Sequence, residues 1–146
     1  MNRSKRMEPV VQVADNRQQL AAQRLGQSQQ ALEDRMARLE ELSSYRDEYA
    51  QRFESQSGAG MTGVSVRDYR LFLHRLNEAI EQQARMVAAA RHELEMSRGR
   101  WVEASGKTKA LNRVVEQFQQ EERRAADRRE QAEQDDRNGR RHRRFE

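Results

Sequence analysis

Cysteine is absent from the 146 residues, which excludes disulfides, cysteine-held zinc and thiol catalysis, and fits a reducing compartment. Proline occurs once, at Pro9, and glycine 7 times, so little interrupts a long regular element. Aromatic residues make up 5% and hydrophobic residues 35%, against about 45–50% in an ordinary globular domain. With a mean hydropathy of −1.20, the chain lacks the apolar material for a thick core. The longest apolar run, Met86 to Ala90, falls far short of the roughly 20 residues that a membrane span needs, so no membrane insertion is expected. The cations Arg3, Lys5 and Arg6 are followed by Glu8 and Pro9 and not by an apolar run, so no signal peptide is expected.

Charge is what the chain has most of. Charged residues reach 36%, the net charge is +4, and nearly all the cations are arginine. Two classes survive these bounds: a disordered chain, or long helices with a narrow apolar seam.

The apolar spacing decides between them. With Leu73 at heptad position a, steps of seven give Leu73, Ile80, Val87, Leu94, Trp101, Thr108 and Val115. The d positions give Tyr69, Leu76, Gln83, Ala90, Ser97, Ala104, Leu111 and Phe118, and the pattern stops at Glu122. A disordered chain has no reason to hold such a register. A weaker seam runs through the first half, with Val11, Leu25, Leu32, Leu39 and Phe53 at a, Ala14, Ala21, Ser28, Leu42 and Tyr49 at d, and Arg35 and Arg46 intruding. Both segments read as coiled-coil helices.

The boundaries follow from Pro9 and the glycines. Residues 1–8 read as a basic arm, and Pro9 suits a first helical turn because its fixed φ fits and its missing N–H would be unpaired there. Helix one is expected over 9–55, a glycine-rich loop over 56–64, helix two over 65–136 with Ser65 as its cap, and a basic tail over 137–146. The fold class is therefore all-α: a single unit of two long helices forming an antiparallel coiled coil, a helical hairpin with the second helix longer. One register pairs residues whose numbers sum to 122, setting Trp101 opposite Ala21, Leu94 opposite Ser28 and Leu42 opposite Ile80, mostly large against small. In this register helix two runs unpaired beyond about residue 112.

A search for reactive groups gives little. Ser105-Gly106-Lys107-Thr108 is like the end of a phosphate-binding loop, but Trp101 stands where that loop needs glycine and Thr108 lies on the seam. His74 and Glu78, at i and i+4, could share a metal but read more simply as a solvated pair. A two-helix rod has no concave pocket to shift a pKa, so no enzyme, cofactor or metal site is expected.

Apolar residues off the seam say more. Tyr45, Phe72 and Ala79 all fall at position g, and in an antiparallel pair the g flanks of the two helices lie on one side. With the edges of Leu42, Tyr49 and Leu76 they form either a docking stripe near the loop or a cover for the seam. The cations Arg3, Lys5, Arg6, Arg123, Arg124, Arg128 and Arg129, with the tail, either are solvated or meet an acidic partner. One end would then be charged and the other aromatic, as in a two-ended linker.

These features resemble the FliJ family, a small cytoplasmic component of the flagellar type III export apparatus. The resemblance covers essentially the whole chain and is sharpest at Leu42-x2-Tyr45-x3-Tyr49 with Phe72-x3-Leu76-x2-Ala79, while Arg38 and Gln83 stand where the pattern more often has Gln and His. It implies that Leu42, Tyr45, Tyr49, Phe72, Leu76 and Ala79 contact the export gate protein FlhA. It also implies that the paired termini enter the pore of the FliI ATPase hexamer, through Arg3, Lys5, Arg6, Arg123, Arg124, Arg128 and Arg129, with FliH and export chaperones as further partners. The implied place is the cytoplasm, peripheral to the cell membrane at the flagellar base. The chain alone is expected to be a monomer. The stalk protein of a virulence secretion system is a close variant. A basic coiled coil that binds nucleic acid through Arg137 to Arg144 is an alternative of another class, opposed by Glu121, Glu122, Asp127, Glu130, Glu133, Asp135 and Asp136. A parallel homodimer is disfavoured by the glycine loop.

Overall fold

A computed structural model describes residues 2–57 and 63–144, and every one of these but Asn2 is α-helical. Helix α1 spans Arg3–Ser57 and helix α2 spans Gly63–Arg144, 55 and 82 residues long. The two pack on each other as an all-α helical hairpin with the second helix longer, as the heptad frame requires. The centre of the expected loop, residues 58–62, lies outside the described residues, as do Met1 of the arm and Phe145 and Glu146 of the tail.

Both boundaries set by local signals move outward. The arm is helical from Arg3, and Pro9 sits inside α1 and not at its start. A proline there removes one backbone N–H from the helical ladder, but long-range contacts hold the turn that precedes it. Ser4 donates from its backbone N–H to Glu122 Oε1 at 3.1 Å and from its hydroxyl to Glu122 Oε2 at 2.8 Å. The Arg3 guanidinium lies over the Phe118 ring, 5.6 Å from its centroid. Helical pairing therefore reaches Glu122, and the unpaired part of α2 begins later than residue 112. Ser65 falls inside the first turn of α2, and the expected tail is helix as far as Arg144.

The hairpin divides into two compact units, Met1–Leu20 with Val102–Glu146 and Ala21–Trp101. In the first, the helices run antiparallel past Thr108, whose hydroxyl donates to the carbonyls of Ala14 at 3.3 Å and Ala104 at 3.1 Å. Gln18 Nε2 donates to Ser105 Oγ at 3.4 Å. In the second, Ser28 and Ser97 share a hydroxyl hydrogen bond at 2.8 Å, and Gln83 Nε2 donates to the Arg35 carbonyl at 3.0 Å. Thr108 on Ala14 matches the expected register, whereas Ser28 meets Ser97 where Leu94 was expected.

Two helices bury little. Among the described residues only Leu76, Val87 and Ala90 of the apolar ones, and Ser97, Ser105 and Thr108 of the polar ones, are buried. All six lie on the a/d seam of α2 or on its immediate flank. Trp101 is half-buried. The polar groups cost little because they are paired: no buried side-chain nitrogen or oxygen among the described residues lacks a partner.

Candidate functional site: an aromatic cluster and an arginine-rich helix end

The second unit gathers all three tyrosines and two of the four phenylalanines into one cluster. Tyr45, Tyr49 and Phe53 come from successive turns of α1, at i, i+4 and i+8. Tyr69 and Phe72 come from the first turns of α2. Phe53 stacks on Tyr69 with centroids 3.7 Å apart and planes 11° from parallel. Tyr49 stacks on Tyr69 at 5.3 Å and tilts against Phe72 at 4.4 Å. Tyr45 meets the Phe72 ring edge-on at 6.0 Å and 74°. The edge-on Tyr45–Phe72 pair and the stacked Tyr49–Tyr69 pair lie at separations where ring pairs are favourable beyond the area they bury.

The cluster grades from seam to solvent. Leu76 is buried beneath it; Leu42, Tyr49, Phe72 and Ala79 are half-buried; Tyr45 is 48% exposed. Of the three residues expected on the g flank, only Tyr45 stands clear: Phe72 leans onto Tyr49, and Ala79 is half-buried. Phe53 and Tyr69 extend the cluster beyond the expected stripe. Both were legible as seam residues, but their stacking depends on the pairing of the two helices. A shallow groove runs beside them, lined by Tyr49, Arg52, Phe53, Asp68 and Tyr69.

The first unit carries the cations. The Ser4–Glu122 clasp joins the start of α1, which carries Arg3, Lys5 and Arg6, to the turn of α2 that precedes Arg123 and Arg124. Arg128 and Arg129 lie beyond Ala125, on a stretch of α2 where every side chain from residue 126 to 144 is exposed. Arg3 also has the Phe118 ring as a neighbour within the unit. Glu122, read from sequence as the end of the seam, is instead an acceptor for the start of α1. The Ser4 N–H, and then its hydroxyl, hold the Glu122 carboxyl below its ordinary pKa of 4.5.

One surface feature was missed. Val10, Val13 and Leu20 of α1 are each about half exposed, at 46%, 49% and 55%. They sit at positions g and c, adjacent on the helical wheel, and that face interleaves them with Arg6 and Arg17. A count of apolar residues at c as well as at g would have found them.

The other sequence candidates resolve into ordinary helix. Ser105 to Thr108 lie within α2, with Lys107 paired to Glu103 at 3.3 Å. His74 Nε2 lies 2.9 Å from Glu78 Oε1, with both side chains exposed. Among the described residues no three histidines or carboxylates converge to hold a metal, and no helix is long and apolar enough to cross a membrane.

An antiparallel two-helix coiled coil, with an aromatic cluster on one unit and an exposed arginine-rich helix end on the other, is the architecture of an interaction protein. Over residues 3–146 the chain matches the family described as flagellar FliJ protein, and it belongs to that family. Membership makes it a component of flagellar type III protein export, in a family that works without catalysing a reaction. Neither the curated proteins nor the solved structures contain a match.

Proposed function

We propose that this FliJ-family chain is a stalk that links the export ATPase ring, FliI with FliH, to the export gate FlhA, with export chaperones as further partners. It acts in the cytoplasm, held peripherally at the membrane below the flagellum. The aromatic cluster of Leu42, Tyr45, Tyr49, Phe72, Leu76 and Ala79 takes the gate. Arg3, Lys5, Arg6, Arg123, Arg124, Arg128 and Arg129 take the ring.

The observation that carries this reading is that the aromatic cluster belongs to one unit and the fully exposed, arginine-rich end of α2 to the other. Half-exposed rings that already pack on one another are preordered, so a partner gains aromatic contact at little entropic cost. The end of α2 has the opposite character. Every described side chain beyond Ala125 is exposed, so that stretch buries nothing within the chain and gains most from a surrounding partner. Two packed helices, together about 20 Å across, suit the central pore of a ring. A single asymmetric helix pair there makes the ring subunits inequivalent and biases their turnover.

The test uses the full chain with Arg123, Arg124, Arg128 and Arg129 changed to Gln, and each partner separately. Ring binding and ATPase stimulation should fall, the deficit should shrink as salt rises, and gate binding should be unchanged. Undiminished ATPase stimulation, or equal loss of both partners, would count against the assignment.

A further inference from the structure

The exposed end of α2 is not uniformly basic. Residues 130–136 contain Glu130, Glu133, Asp135 and Asp136 and no cation. Residues 137–144 contain Arg137, Arg140, Arg141, Arg143 and Arg144 and no carboxylate. Both blocks are helical and every side chain in them is exposed. Glu133 and Arg137, and Asp136 and Arg140, have the spacing of intrahelical ion pairs. Among the described residues, however, none of these arginines has a carboxylate within ion-pair distance.

A rigid helix keeps the two blocks apart. Their centres are about 11 Å apart along the axis, at about 1.5 Å per residue. That exceeds the screening length of about 8 Å at physiological ionic strength. A partner therefore meets two separate fields of opposite sign and not one weakly positive net charge. The arginines at the C-terminus also complement the helix dipole, which favours the helical form that keeps the blocks distinct.

We propose that this end of α2 is read by a protein surface with two bands of opposite charge. A basic band faces residues 130–136 and an acidic band faces residues 137–144. The inference rests on the reading that the export ATPase ring receives this end, and it specifies the electrostatics of that contact. A polyanion such as nucleic acid does not fit, because the carboxylate block would repel it within a few turns of the arginines. A surface that is acidic throughout meets the same objection.

Three variants of the full chain, each checked for unchanged helicity, are titrated against the purified hexameric ATPase at low and physiological salt. The first neutralises the acidic block: Glu130→Gln, Glu133→Gln, Asp135→Asn and Asp136→Asn. The second exchanges the two blocks, keeping composition and net charge. The third deletes residues 137–146. All three should bind about tenfold more weakly or worse at low salt, the size that four exposed ion pairs reach together. The loss should shrink at higher salt. Tighter binding by the neutralised variant, or unchanged binding by the exchanged one, would overturn the two-band surface while leaving the ring as partner. Unchanged binding after the deletion would remove the acidic band and overturn the proposal, while the ring reading, which rests on Arg123, Arg124, Arg128 and Arg129, would stand. A doubled molecular mass of the chain alone at low salt, abolished by the block exchange, would make a second copy the occupant and overturn the proposal.

Discussion

The two units share one heptad frame and use it differently. In Ala21–Trp101 the buried residues are Leu76, Val87, Ala90 and the hydrogen-bonded Ser97, and five rings close the seam toward the loop. In the unit of Met1–Leu20 and Val102–Glu146 the buried residues are Ser105 and Thr108. Its helices are joined by hydroxyls, an amide, a carboxylate and a cation over a ring. The same seven-residue period thus supports a unit held mainly by apolar burial and one held largely by directed polar contacts. The first should be insensitive to pH and salt, and the second sensitive to both.

The comparison breaks most readily at Leu76. Leu76→Ala truncates the largest buried side chain of the second unit and should cost about 2–4 kcal/mol in denaturant unfolding. Because Leu76 lies beneath the cluster, gate binding should fall with it. A cost below that range would mean that the rings and not the seam hold this unit. Trp101→Ala should cost less than the roughly 3–5 kcal/mol of a fully buried tryptophan, since Trp101 is half-buried.

In the polar unit the matching change is Thr108→Val. It keeps the shape but removes the donor to the Ala14 and Ala104 carbonyls. About 1 kcal/mol should be lost, with no change in gate binding. A gain in stability would show that the polar seam is dispensable there. Gly99 and Gly106, one in each unit, both have open space where a Cβ would stand. Ala at either should stabilise by up to about 1 kcal/mol, and a gain confined to one would mean that one helix is locally distorted.

The smallest effect sharpens the contrast by pH. Ser4 donates to ionised Glu122, so the folded carboxyl titrates below 4.5. The contribution is present above that ordinary value and disappears as pH falls through the depressed folded one. The wild type should lose slightly more stability between about pH 6 and acid than Glu122→Gln, the small effect expected of a solvent-exposed interaction. Equal losses would mean that the clasp contributes nothing.

Much of this was legible in the sequence. The a/d pattern of α2 from Tyr69 to Phe118 marks the seam, and the g positions of Tyr45 and Phe72 place the two rings on one flank. Pro9 misled because its local preference is for a first turn, whereas the turn before it is held by partners 118 positions away in the chain. Glu122 misled because a carboxylate at a heptad a position ends an apolar seam, and nothing local says that it accepts from the other helix. The tilt of Phe72 onto Tyr49 depends on side-chain packing across the hairpin, which periodicity does not report.

The central claim is that the aromatic cluster is a docking surface and not merely the end of a core, and Tyr45 tests it most directly. Tyr45→Ala should leave helicity and melting nearly unchanged, because the ring is 48% exposed and lies off the seam. Affinity for the export gate should fall by about tenfold or more, as for an interfacial aromatic worth about 2 kcal/mol. A double-mutant cycle with Phe72 should show coupling between the two rings. A Tyr45→Ala protein that melts several degrees lower and still binds the gate with full affinity would contradict the account.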